Sequence, residues 1–171
     1  VSLPSLSLLA AKNQTKEMLD TFYSSVKLVF FYTIPSTIFL IVASKPIIAI
    51  LYQYGKFSYI DTINTSQALA FYAIGLFAYA SVRVAVSFFY SLKDAKTPVK
   101  ISVVAVACNI ILNLALMKPL GFRGLALATS VSAIVNFSLL LYYLNKKTGP
   151  MDFSFLKPGF FKVLVASLGM G

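Results

Sequence analysis

Four times in this chain apolar residues run on for about the width of a bilayer, with short polar stretches between them. The clearest pair flanks Ser91-Leu92-Lys93-Asp94-Ala95-Lys96-Thr97-Pro98-Val99-Lys100. Residues 68–90 upstream hold one formal charge, Arg83, and residues 101–117 downstream hold none. A soluble core has no need of two uninterrupted apolar segments of that length. The pattern predicts a membrane hairpin whose turn is held at the lipid surface by lysines. The first span is expected over 26–43, with Pro35 inside it, and Lys45-Pro46 ends it. Residues 46–54 read as a short amphipathic continuation at the interface. The second span covers 67–92. Thr97 is expected as an N-cap with Pro98 at the first helical position, opening a third span that runs to Met117. Pro119-Leu120-Gly121 predicts a tight turn, and the fourth span follows over 124–144.

The fold class is therefore all-α: a polytopic membrane helix bundle of about four complete transmembrane helices plus the start of a fifth. Residues 1–25 form a lead-in whose 13–25 stretch is an amphipathic helix running on into the first span. Residues 26–145 are the four-span bundle, 146–159 a polar connector, and 160–171 the start of a truncated further span. With neither an initiator Met nor a signal peptide at Val1, the chain reads as a piece of a larger protein.

Composition supports the membrane class. Charged residues are 12% of the chain, half the usual share, and the mean hydropathy is +0.82. The net charge of +10 does not point to nucleic acid, because the basic residues are scattered between apolar spans. Their distribution reports topology instead. The side shared by the lead-in, the 93–100 loop and the 146–159 connector holds ten: Lys12, Lys16, Lys27, Lys93, Lys96, Lys100, Lys146, Lys147, Lys157 and Lys162. The other side holds four, Lys45, Lys56, Lys118 and Arg123. That excess puts the first side in the cytoplasm.

Bond chemistry finds little support. There is no histidine, and none of the five acids, Glu17, Asp20, Asp61, Asp94 and Asp152, falls inside an expected span. Cys108 has no second cysteine to join it in a disulfide or a metal site. Neither an acid–base carboxylate pair nor a phosphate-cradling glycine loop is present. The expectation is a protein that is not an enzyme and holds no cofactor and no metal.

Arg83 is the candidate that matters most. Ten residues before Lys93, it lies about 15 Å along a helix, near mid-membrane. Facing lipid there would cost about 2.5–3.5 kcal/mol or more. Three roles are open: a cavity-lining cation for an anionic substrate, a structural arginine bonded to a neighbouring helix, or a side chain reaching for headgroups. Tyr79 and Ser87, one turn to either side, are expected to share its face, and no acid in the spans is expected to pair with it. Asn109, Asn113 and Asn136 are expected to bond across to neighbouring helices. Gly124, Ala128 and Ser132, with Ala126 and Ser130 beside them, form a small-residue stripe for close helix packing.

The wording of four stretches resembles the MurJ/MviN family of lipid II flippases, within the multidrug/oligosaccharidyl-lipid/polysaccharide exporter superfamily. They are Ala43-Ser44-Lys45-Pro46-Ile47-Ile48 with Tyr52-Gln53-Tyr54-Gly55-Lys56-Phe57 and Asp61-Thr62; Phe89-Tyr90-Ser91 with Lys93-Asp94-Ala95-Lys96-Thr97-Pro98-Val99-Lys100-Ile101; Asn109 to Asn113-Leu114; and Pro119-Leu120-Gly121 with Gly124-Leu125-Ala126-Leu127-Ala128-Thr129-Ser130. The resemblance implies helices nine to twelve of fourteen, in the second of two lobes, with the start of helix thirteen. It implies alternating access that carries lipid II, an undecaprenyl-pyrophosphate-linked glycolipid, across the bacterial cytoplasmic (inner) membrane. The implied partners are the bilayer, that glycolipid and the remaining lobe of the same protein. The essential arginines of the family lie outside this piece. Two other readings stand beside it: a flippase for another lipid-linked glycan of O-antigen type or a drug exporter of the same superfamily, and a non-transporting membrane scaffold for cell-wall synthesis.

Overall fold

Six helices make up the described chain, residues 15–149, of this computed structural model. They are α1 (Thr15–Val42), α2 (Ser44–Tyr52), α3 (Tyr59–Ile74), α4 (Leu76–Ser91), α5 (Lys96–Leu120) and α6 (Phe122–Thr148). Since α3 and α4 follow end to end, the described residues make four crossings long and apolar enough to span a membrane. The all-α polytopic bundle is as expected. The expected fifth span at 160–171 and most of the 146–159 connector lie outside the described residues, as do residues 1–14.

The lead-in and first span are one helix. Met18, Phe22 and Val26 recur every four residues on α1 and are 1–2% exposed. They pack against α4, and with Ala85, Phe88 and Phe89 of α4 and Phe137, Leu140 and Leu144 of α6 they form one buried apolar cluster. Phe22 meets Phe88 edge-on, ring centres 5.3 Å apart. Helicity continues through Pro35, where the ring removes a backbone donor. On either side of it the Thr33 and Ser36 hydroxyls donate to the carbonyls of Val29 and Tyr32, both at 2.8 Å.

The second crossing starts earlier than expected, at Tyr59 rather than residue 67. Ser58 and Asp61 make a reciprocal capping box: Asp61 N–H donates to Ser58 Oγ at 3.3 Å, and Ser58 N–H to Asp61 Oδ2 at 2.9 Å. The crossing is also broken, at Gly75. Gly75 N–H donates to Tyr72 O at 3.1 Å, which frees the Phe71 carbonyl a residue further back. Ser130 Oγ of α6 donates to that Phe71 carbonyl at 2.6 Å, and Thr37 Oγ1 of α1 donates to Ala73 O at 3.2 Å. Carbonyls released by a helix break inside hydrocarbon need such partners, and two neighbouring helices supply them. Glycine is required here by proximity alone, since φ is −81°. A Cβ at Gly75 would stand 2.7–2.9 Å from the Oγ, Cα and Cβ of Ser130.

Two hairpin turns differ from expectation in detail. Lys93 takes φ 57°, its N–H reaching Tyr90 O and the Asp94 N–H reaching Phe89 O, both at 3.0 Å, which closes α4 in a Schellman turn. Thr97 is not the cap of α5, nor is Pro98 its first residue; the helix starts at Lys96. Asp94 caps instead, taking Thr97 N–H at 3.1 Å and the Thr97 hydroxyl at 2.7 Å. The carboxylate wins because it carries full charge and can accept two bonds. At the opposite end, the expected three-residue turn shrinks to one residue. α5 runs through Pro119 to Leu120, Gly121 turns with φ 58°, and α6 begins at Phe122. The small-residue stripe then sits inside: Gly124, Ala126, Ala128, Ser130 and Ser132 are all buried. A Cβ at Gly124 would run into the Leu116 carbonyl of α5. With these close contacts α6 becomes the central helix, touching α3, α4 and α5.

Candidate functional site

Arg83 of α4 lines a cavity of about 550 Å³ against α1. Asp20, Thr21, Ser24, Ser25, Leu28 and Val29 form the α1 wall, and Ser87 lies beside Arg83 on α4. The same four-residue recurrence that buries Met18, Phe22 and Val26 turns Asp20, Ser24 and Leu28 toward this space. Three of the four hydroxyls have already used their protons: Thr21 donates to Glu17 O at 2.8 Å, Ser25 to Thr21 O at 2.6 Å, and Ser87 to Arg83 O at 2.9 Å. Those three can therefore only accept from a ligand. The Arg83 guanidinium makes no ion pair with any described residue, and its fork carries five donors at the cavity wall.

No acid pairs with Arg83 among the described residues, but one shares its space, because the one-piece α1 brings Asp20 into the bundle. Treating residues 1–25 as outside the spans hid it; the signal was the polar stripe Asp20, Ser24 and Thr21, Ser25. Tyr79 does not share the cavity. It faces α6, where its hydroxyl donates to Thr129 O at 3.1 Å.

Tyr79 belongs to a second, smaller cavity of about 220 Å³ between α4, α5 and α6, together with Asn109, Asn136, Ser102, Thr129 and Ser132. The expected cross-helix amide bonds are absent among the described residues. Asn113 Nδ2 donates instead to Asn109 Oδ1 along the same helix at 2.9 Å. The Oδ1 atoms of Asn113 and Asn136 are buried with no partner, as is Ser81 Oγ. On the far side, Arg123 Nη2 donates to Asn64 Oδ1, tying α6 to α3.

The turn Lys93, Asp94, Lys96, Thr97, Pro98 is a structural clasp. Lys147, near the end of α6, donates to Asp94 Oδ2 at 2.6 Å. The Lys147 ammonium, then the Thr97 hydroxyl and amide, hold the Asp94 carboxyl well below the usual carboxylate range. A carboxyl held low stabilises the fold fully above its unfolded value near 3.9, and that contribution is lost only as pH falls through the lower folded value. Asp94→Ala in the full-length protein should cost about 1–2 kcal/mol, from one cap and one half-exposed ion pair. In thermal unfolding the difference from wild type should stay level from pH 8 to 5 and shrink below about pH 4. A difference that already fades between pH 7 and 6 would contradict this account.

The model of the family described as Lipid II flippase MurJ matches residues 1–170. A lipid II flippase MurJ of Thermosipho africanus is 34% identical over 157 residues, covering 92% of this chain and 32% of the relative. A probable lipid II flippase MurJ of Vibrio cholerae is 33% identical over 156 residues, covering 86% and 30%. Among solved structures, a lipid II flippase MurJ in its inward closed conformation superposes with a TM-score of 0.80 at 32% identity, over 99% of this chain and 35% of that one. The chain thus spans about a third of the length of the relatives it matches.

Proposed function

The chain belongs to the lipid II flippase MurJ family, and from that premise we propose that it is part of the second lobe of a transporter that moves lipid II across the cytoplasmic membrane by alternating access. It is a multi-pass membrane protein, and transport needs no bond to be made or broken. The observation that carries the reading is Arg83: a guanidinium with no ion pair among the described residues, in a 550 Å³ cavity, on a crossing with no other charge between residues 68 and 90. A pyrophosphate is the kind of anion that a planar five-donor fork holds best. We place the 93–100 turn and the end of α6 in the cytoplasm, from the ten-to-four excess of basic residues on that side. The cavity, whose α4 residues 83–87 lie near the Ser91 end of the crossing, then falls in the half nearer the leaflet in which lipid-linked precursors are made. Asp20 supports a second reading, an exporter of organic cations, because it brings a carboxylate into the same space.

Depletion of the full-length protein in its own bacterium, followed by an assay of lipid II on the outer leaflet, tests the proposal. Exposure should fall as the protein disappears. Unchanged exposure, in a strain with no other flippase, would overturn it.

A further inference from the structure

Beside the Arg83 cavity, and sharing no lining residue with it, α4 and α5 diverge and leave a groove of about 320 Å³ lined by Val86, Tyr90, Pro98, Val99, Val103 and Val106, together with the polar Ser102. On α5 the groove extends from Pro98 to Val106, about 12 Å, most of the ~15 Å depth of one leaflet's hydrocarbon. Its rim is apolar and open: Val99, Val103 and Val106 are 56–64% exposed, and Val104, Ile110, Ile111 and Leu114 continue an exposed apolar surface. A face of that composition suits acyl chains and not an aqueous passage. Its mouth is of opposite character. Lys96 heads the helical stripe 96, 99, 103, 106, and helical side chains lean toward the N-terminus, so its ammonium is carried to the membrane surface. Lys93 and Lys100 flank it, all three are exposed, and none meets a carboxylate among the described residues. The nearby Asp94 is already engaged by Lys147. Tyr90, 46% exposed, forms part of the α4 wall.

We propose that this groove is a binding site for one anionic phospholipid, its phosphate held by Lys93, Lys96 and Lys100 and one acyl chain lying along Val99, Val103 and Val106. Charge decides the occupant. Three cations without a carboxylate partner among the described residues, at the head of an apolar slot, match an anionic headgroup on a hydrocarbon chain, and a zwitterionic lipid brings its own cation into the cluster. The site is separate from the Arg83 cavity and does not depend on what that cavity carries.

The test uses the full-length protein, with Val103 replaced by the photo-crosslinker p-benzoylphenylalanine, in nanodiscs of equal phosphatidylglycerol and phosphatidylcholine. Adducts are identified by mass. Phosphatidylglycerol adducts should exceed phosphatidylcholine adducts by roughly tenfold, and the combined changes Lys93→Gln, Lys96→Gln and Lys100→Gln should return the ratio to that of the bilayer. Those side chains are exposed, so thermal unfolding should be little altered; Lys146→Gln, elsewhere on the same surface, should leave the ratio unchanged. An even ratio in the wild type, a ratio indifferent to the triple change, or adducts to another part of the protein would overturn the proposal. So would displacement of phosphatidylglycerol by added undecaprenyl pyrophosphate, which would assign the groove to the transported lipid.

Discussion

Arg83→Ala in the full-length protein is expected to lower lipid II exposure on the outer leaflet by tenfold or more at unchanged protein level. Losing charge-assisted hydrogen bonds to a phosphate typically costs about 1.5–3 kcal/mol, roughly a ten- to hundredfold change. Arg83→Lys should fall between, because lysine keeps the charge and loses the planar fork. Asp20 makes the experiment decisive, since it lines the same cavity. If Arg83 holds a substrate anion, Asp20→Asn removes a competing negative charge and should leave exposure equal or higher. If Arg83 serves only to tether α4 to α1 through Asp20, the two substitutions should be equally harmful. An organic-cation exporter would show the opposite ranking, with Asp20→Asn the more damaging change.

The second large effect is structural. Gly75→Ala should destabilise the full-length protein by about 2–6 kcal/mol, read as a lowered unfolding midpoint in detergent. Overpacking of a tight contact costs about 1–3 kcal/mol. Here the atom met includes the Ser130 Cα, so no side-chain rotation relieves it. Pushing α6 away also strips Ser130 Oγ from the Phe71 carbonyl, leaving an acceptor unsatisfied within hydrocarbon, at about 1–3 kcal/mol more. Pairing Gly75→Ala with Ser130→Gly removes two of the three close atoms and should recover part of the loss. Full stability for Gly75→Ala alone would mean that the crossing of α4 and α6 is looser than described.

Length and hydropathy made the four crossings legible, since bilayer thickness constrains a sequence more strongly than any local preference. Boundaries were less so. Asp94 and Thr97 can each cap a helix, and only the shape of the preceding turn, with Lys93 left-handed, decides between them. The start at Tyr59 was written in Ser58-Tyr59-Ile60-Asp61, a capping-box spacing masked by the apolar run after it. The break at Gly75 left no such mark, because its cause lies on α6, 55 residues away at Ser130. Membership of the candidate sites followed the same rule. Arg83 stood out by charge alone, while its separation from Tyr79 depends on which neighbour each meets, and that is set by how α4 packs between α1 and α6.

The one-residue turn at Gly121 bears on the order in which this region assembles. α5 and α6 are joined by a single glycine and pack along each other, so their contacts lie close in sequence and can form as soon as both have been made. The α3–α4 crossing precedes them on the chain, yet its broken segment has no Ser130 to satisfy it until α6 exists. During synthesis the Phe71 carbonyl must wait for a residue 59 positions downstream. The later hairpin thus becomes the template on which the earlier crossing settles, and defects in α6 should first appear as misplacement of α3.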